Sequence, residues 1–157
     1  MSIRLAGEDD YLQLAEMKWS HCEEDDIDYN LHELEGVDKQ AFISCFMDFL
    51  KTTKEYLIFV AEKNGVVVSA MFVYLIPKTP KPNRQSKFIA YLTNVYTVKE
   101  CRNQNIGSEL LSSIKKYLIT QNCEMLFVWP SQNSVNWYTR NGFTSQNEML
   151  EYNLFGE

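Results

Sequence analysis

Apolar positions along the 157-residue chain change period several times, and the changes outline its elements. Ser2 to Leu5 reads as a short strand. Gly7, Glu8, Asp9 and Asp10 then supply a helix start with negative charge at the positive end of the helix dipole, and Leu12, Ala15 and Trp19 follow at helical spacing. A polar, acidic stretch containing Gly36 reads as a loop or short helix. Asp38 is placed as the N-cap of a second helix, because Ala41, Phe42, Cys45, Phe46, Phe49 and Leu50 form one stripe. Tyr56 to Ala61 and Val66 to Ile76 are β-branched and aromatic runs around Asn64-Gly65, which predicts an antiparallel hairpin. Pro77 to Lys87, with three prolines, four basic residues and no acid, is a loop before a third long strand from Phe88 to Val98. Ile106, Leu110, Leu111, Ile114, Tyr117 and Leu118 then mark a helix from near Gly107 to near Asn122. Met125 to Trp129 is a short strand stopped by Pro130, and Ser131 to Asn141 a short helix closed by Gly142. Phe143 to Thr144 and Met149 to Leu154 supply two final strands. The order β-α-α-β-β-β-α-β-α-β-β, without internal repeat, belongs to the α/β (α+β) class.

Composition narrows the class. At 45% hydrophobic and 13% aromatic, with six Gly and four Pro, residues 1–157 suffice for one core and one domain, and whole-chain disorder is excluded. No window approaches the roughly 18 apolar residues of a membrane-spanning helix, and Arg4, Glu8, Asp9 and Asp10 interrupt the position of a signal peptide's apolar stretch. The expectation is a cytoplasmic protein with no membrane partner. A formal charge of −6 argues against a nucleic-acid partner, since phosphate neutralisation needs cationic surface. From Trp19 to Asp38 there are eight acids and no Lys or Arg, which is either a solvated face or a wall that attracts a cationic substrate. Cys22, Cys45, Cys101 and Cys123 form no CxxC pair and are read as reduced thiols. His21, Cys22 and His32 lack a fourth ligand at zinc-like spacing, so no metal is expected.

Two segments carry chemistry. Thr97 to Ser108 joins a strand to a helix through a small polar turn, and the unpaired N–H groups of such a turn at a helix N-terminus suit an anion such as pyrophosphate. Arg102 adds positive charge there. In the second segment, Ser131 to Phe143, Tyr138 stands on a short helix five residues before the Phe of Gly142-Phe143.

Together the segments resemble the GNAT superfamily of acyl-CoA-dependent N-acetyltransferases, whose phosphate loop reads (Arg/Gln)-x-x-Gly-x-(Gly/Ala) and whose later signature ends in Tyr-x-x-x-Gly-Phe. The chain has Arg102-x-x-Asn105-x-Gly107 and Tyr138-x-x-x-Gly142-Phe143, and its element order is also the family's. The resemblance implies a single domain with a mixed, mostly antiparallel twisted sheet flanked by helices. It implies acetyl-CoA as co-substrate and transfer to an amine acceptor, with a homodimer as a frequent family assembly. Arg102, Asn103, Gln104, Asn105, Ile106, Gly107 and Ser108 would hold the CoA pyrophosphate, and Val95, Tyr96 and Thr97 would pair with the pantetheine arm. Arg140 would reach the phosphate end. The acceptor would enter from the side of the first two helices, near Glu23, Glu24, Asp25 and Asp26.

Two departures from the family pattern stand out. Asn105 replaces the first loop glycine, and Asn is the side chain that best tolerates left-handed dihedrals after Gly. The loop is expected to survive, with weaker CoA affinity as the cost. Thr93, beside Asn94, stands where many relatives carry a general-base Glu, and neither accepts a proton near neutral pH. An alkyl ammonium of pKa roughly 10 must lose a proton before attack. The base is therefore a water positioned by Thr93, Asn94 or a backbone carbonyl, which is preferred, or an acid from the Asp25 to Glu35 segment. The expected reaction is direct transfer without an acyl-enzyme: backbone N–H groups near Tyr96 and Thr97 stabilise the oxyanion and Tyr138 protonates the thiolate. Cys101, in the phosphate turn with no His near it in sequence, is read as structural rather than nucleophilic. Two alternatives stay open, a CoA-binding sensor or interaction module with little turnover and an O-acetyltransferase.

Overall fold

In the computed structural model, residues 1–82, 85–145, 149–150 and 154 are described. The elements are β1 (Ser2–Leu5), α1 (Tyr11–Tyr29), α2 (Lys39–Thr52), β2 (Tyr56–Lys63), β3 (Val66–Pro77), β4 (Phe88–Thr97), α3 (Ile106–Thr120), β5 (Cys123–Val128) and α4 (Val135–Arg140). Asn64 and Gly65 both take positive φ, 54° and 78°, as the two-residue turn between β2 and β3 demands. The strands form one sheet in the order β1-β2-β3-β4-β5, antiparallel except for the parallel pair β4 and β5.

Alternation along β3 assigns the faces. Met71 and Val73 pack with Leu110, Leu111 and Ile114 of α3, whereas Ala70 and Phe72 pack with Leu14, Met17 and Leu50 of α1 and α2. A turn of 3-10 helix, Glu8–Asp10, leads into α1. It is anchored by Asp10, whose carboxylate accepts from Arg4 of β1 (2.6 and 2.9 Å) and from the Gly7 N–H (2.7 Å). Arg4 also reaches Glu62 of β2 at 2.7 Å. The Asp38 side chain caps α2 by accepting from the Gln40 N–H at 3.0 Å.

Two features of β4 create the site. Ala70 faces Tyr96 but Phe72 faces Thr93, so β4 carries one extra residue, a bulge in which Asn94 adopts φ 47°. The pairing of β4 with β5 ends at Leu92 opposite Val128. From Thr93 to Thr97 the β5-side edge of β4 is consequently left without a strand partner among the described residues.

The structure corrects three expectations. The acidic stretch is not a loop up to Tyr29: α1 continues through it and stops at Asn30, whose left-handed backbone (φ 52°) ends the helix. The buried residues of α1 are Leu14, Ala15, Met17 and Trp19, with Leu12 exposed. In α2 the buried line runs through Ile43 and Leu50, with Phe42 and Phe46 half-buried, while Cys45 and Phe49 face outward. A nearly continuous apolar run leaves the phase of the stripe undetermined by periodicity. Phe143 and Thr144 form no strand, nor do Met149 and Leu150, and residues 151–153 of the last expected strand lie outside the described residues. Among the described residues no helix is long and apolar enough to cross a membrane.

Candidate active site

Where β4 and β5 part, they leave an open cleft of about 1040 Å³. Its floor is β4 from Tyr91 to Thr97. One wall is the polar face of α1, and the other is built from the turn before α3 and from α4. The sequence-predicted residues Thr93, Asn94, Val95, Tyr96, Thr97, Arg102, Asn103, Asn105, Ile106, Gly107, Ser108, Tyr138 and Arg140 all line it, with Glu24 and Asp25 opposite. Three others do not. Gln104 turns away, donating to Glu100 O (2.9 Å) and accepting from Lys63 (3.2 Å). Glu23 is exposed outside the cleft, and Asp26 accepts from the Glu33 N–H at 2.7 Å.

The turn before α3 has the geometry of an anion cradle. Asn103 and Asn105 take φ 60° and 63°, both in the left-handed region that Asn tolerates. The first bond closing α3 runs from Glu109 N to Asn105 O (3.0 Å), so the N–H groups of Ile106, Gly107 and Ser108 have no partner inside the helix. A Cβ on Gly107 would sit 3.3 Å from the Trp137 ring and 3.4 Å from Thr97 Oγ1, so glycine lets α3 approach α4 and β4 closely without pressing on that ring. Arg102 lies across the cleft: its Nε donates to Thr97 O (2.8 Å), its Nη2 to Glu24 Oε2 (2.7 Å), and its guanidinium sits 5.3 Å from the Tyr96 ring centre.

Tyr138 projects from α4 with 6% of its surface exposed, its ring wedged against Trp137 and Phe143. Its hydroxyl has no hydrogen-bond partner among the described residues, and burial, helped by Tyr91, pushes its pKa up to about 12. Tyr138 is thus a protonated, available donor at any ordinary pH. Cys101 is half-buried against the α3-side core.

The α1 wall contains two groups that sequence reasoning did not place in the site, Lys18 and His21. Lys18, His21, Asp25 and Asp28 recur at i, i+3, i+7 and i+10, one helical face turned into the cleft. Lys18 Nζ donates to Asn94 Oδ1 at 2.7 Å, tying α1 to the β4 bulge. One turn on, the His21 ring stacks on Tyr96 (centroids 5.2 Å apart, 27° between planes) and its Nε2 lies 3.5 Å from Asp25 Oδ2. Burial, with Lys18 and Arg102 adding to it, outweighs Asp25 and Glu24 and lowers the His21 pKa, so the ring is neutral near pH 7. For Glu24, burial acts upward, but hydrogen bonds from Tyr96 (2.6 Å) and Arg102 prevail and hold its carboxyl below the usual value. The Tyr96 hydroxyl is raised, by burial first and by Glu24 second. Polar residues at helical spacing were the available signal, hidden because periodicity is ordinarily sought in apolar ones.

Comparison with known proteins agrees with this fold. The sequence model of the acetyltransferase (GNAT) family matches residues 12–143. Among solved structures, a predicted acetyltransferase with acetyl-CoA from Clostridium acetobutylicum superposes with a TM-score of 0.73 at 21% identity, covering 98% of this chain and 96% of that one. A GCN5-related N-acetyltransferase from Ralstonia eutropha gives 0.70 at 18% identity, with 96% and 97% covered. An aminoglycoside acetyltransferase from an uncultured soil metagenomic sample, in complex with sisomicin, gives 0.65 at 12%, with 97% and 93% covered. These similarities are of fold. No curated protein matches the chain.

Proposed function

The chain belongs to the acetyltransferase (GNAT) family and is therefore an acyltransferase, and within that family we propose that it moves the acetyl group of acetyl-CoA directly to the nitrogen of a small cationic amine. The observation that carries this reading is one cleft with two unlike ends: unpaired N–H groups with Arg102 and Tyr138 on one side, and the acidic face of α1 on the other.

The free N–H groups of Ile106, Gly107 and Ser108 receive the pyrophosphate at the positive end of α3, and Asn103, Asn105 and Arg140 border it. The unpaired β4 edge through Val95, Tyr96 and Thr97 takes the pantetheine arm by backbone pairing, as another strand would. Asp25 and Asp28 draw the ammonium group toward Thr93 and Asn94. The ammonium first loses one proton to a base on the acceptor side of the cleft. The neutral amine then attacks the thioester carbonyl, the C–N bond forms, collapse of the tetrahedral adduct breaks the C–S bond, and a second amine proton leaves as the amide forms. Tyr138 supplies the proton to the departing sulfur.

Release of free thiol from acetyl-CoA in the presence of a panel of amines tests the reading, with cationic acceptors expected to be preferred over neutral and anionic ones. Tyr138→Phe is expected to lower kcat by roughly 10- to 1000-fold with CoA affinity unchanged, since the ring keeps its packing. CoA binding without thiol release would point instead to a CoA-binding module, and an ester product to O-acetylation.

A further inference from the structure

We infer that His21 is the group that takes the proton from the acceptor ammonium, supplying from α1 the base that Thr93 and Asn94 cannot supply from β4. The inference rests on the proposed acyl transfer to an amine. His21 lines the cleft one helical turn beyond Lys18, which touches the β4 bulge, and one turn before Asp25 and two before Asp28. Its ring is fixed on two sides, stacked on Tyr96 and facing Asp25 through Nε2. Asp25 favours a proton on Nε2, which leaves the lone pair on Nδ1, and no described residue donates to that nitrogen.

Other groups in the cleft fit the role less well. Lys18 is engaged as a donor to Asn94, and Glu24 already accepts from Tyr96 and Arg102. An imidazole is closer in basicity to neutral pH than a carboxylate, which favours it as an acceptor from an amine of pKa roughly 10. The charged and titratable groups facing His21 are Lys18, Glu24 and Asp25 on its own helix, Tyr96 on β4 and Arg102 beyond it. Burial and the two cations keep the ring neutral before reaction, and Asp25 stabilises the imidazolium afterwards. The step balances: one proton of the ammonium passes to His21 and on to solvent, the amine's lone pair forms the C–N bond, and a second proton ends on the sulfur.

The test is kcat/KM for a primary alkylamine as a function of pH. The wild type is expected to rise to a plateau with a midpoint below the ordinary imidazole value of 6.5 and to stay level up to the amine's own pKa. His21→Gln should lose the plateau and rise about tenfold per pH unit across that range, with a deficit at pH 7 of roughly 100- to 10,000-fold. An acceptor amine that is already neutral at the assay pH should largely restore the variant, which a merely structural role would not do. A variant with the wild-type profile, or equal losses for both classes of acceptor, overturns the inference.

A measurement on the wild type does not depend on how the variant folds. The chain has two histidines, so NMR of the ring signals, assigned with His32→Gln, gives the His21 midpoint directly. Agreement with the kinetic midpoint supports the role, and a discrepancy of a full pH unit overturns it. Wild-type protein that releases no thiol with any amine overturns the acyl-transfer reading and the role of His21 with it. Turnover with an unaltered profile overturns the role of His21 alone.

Discussion

Arg102 and Glu24 meet at 2.7 Å across the cleft, joining the anion-binding turn to the acidic face of α1. If the turn holds the CoA pyrophosphate as proposed, the pair couples the two substrates' sites, because the incoming pyrophosphate competes with Glu24 for the guanidinium. Arg102→Ala should weaken CoA binding about tenfold or more, the value of a charge-assisted hydrogen bond. Glu24→Gln should tighten it by up to about fivefold, since a partly exposed pair is worth about 1 kcal/mol at most. Calorimetric titration checks both, and weaker binding in Glu24→Gln would contradict the competition.

Asn105 opens α3 at φ 63° and ψ 5° without making a side-chain cap. Its contribution is therefore conformational. Asn105→Ala should destabilise the fold by about 1 kcal/mol, whereas Asn105→Gly should stay within about 0.5 kcal/mol, relief of strain offsetting the greater entropy of the unfolded chain. Urea denaturation measures the difference. A large loss of CoA affinity in Asn105→Gly would mean that the amide itself touches the ligand.

Attraction of a cationic acceptor by Asp25 and Asp28 should be screened by salt, as the Debye length falls from about 10 Å at 0.1 M to about 3 Å at 1 M. KM for the acceptor should rise with ionic strength. Asp28→Asn should raise KM at low salt by several-fold and flatten the salt dependence, with CoA affinity unchanged. Kinetics indifferent to both changes would reduce these carboxylates to a solvated surface.

Stability should depend on pH through Asp10. Its hydrogen bond from Arg4, aided by the Gly7 N–H, holds the carboxyl below the ordinary value of 3.8 despite burial. A depressed acid stabilises above its unfolded value and loses that contribution as pH falls through its folded one. The window is therefore below about pH 4. Asp10→Asn should cost about 2 kcal/mol at pH 7, and the gap between variant and wild type should close on acidification, as denaturant midpoints at several pH values will reveal.

Legibility in the sequence followed the kind of signal each element carries. Asn64-Gly65, the Asp38 cap and the apolar run of α3 are local and strong, and each element stands within two residues of its expected place at these points. The turn from Arg102 to Ser108 and Tyr138 were found because they combine a motif with a strand-to-helix context. The bulge at Asn94 was not readable, since one extra residue in a β-rich run leaves no compositional trace, and it is revealed only by the register against Ala70 and Phe72. The second half of α1 does not show helical apolar periodicity for a related reason: its inner face meets an open cleft rather than the core, so His21, Asp25 and Asp28 replace the apolar residues that mark a helix.

The same face of α1 separates specificity from the rest of the protein. Upstream, Leu14, Ala15, Met17 and Trp19 secure the helix to the core. Downstream, it is held by Glu24 on Arg102 and by Tyr29, whose hydroxyl accepts from the Asn133 N–H at 3.4 Å. Asp25 faces His21, whereas exposed Asp28 projects from a supported beam without itself bearing load. On the proposed reading, a lineage or a mutant library that varies codon 28 explores acceptor preference with little penalty in folding and none in the turn before α3. A change of acceptor would then be within reach of a single substitution.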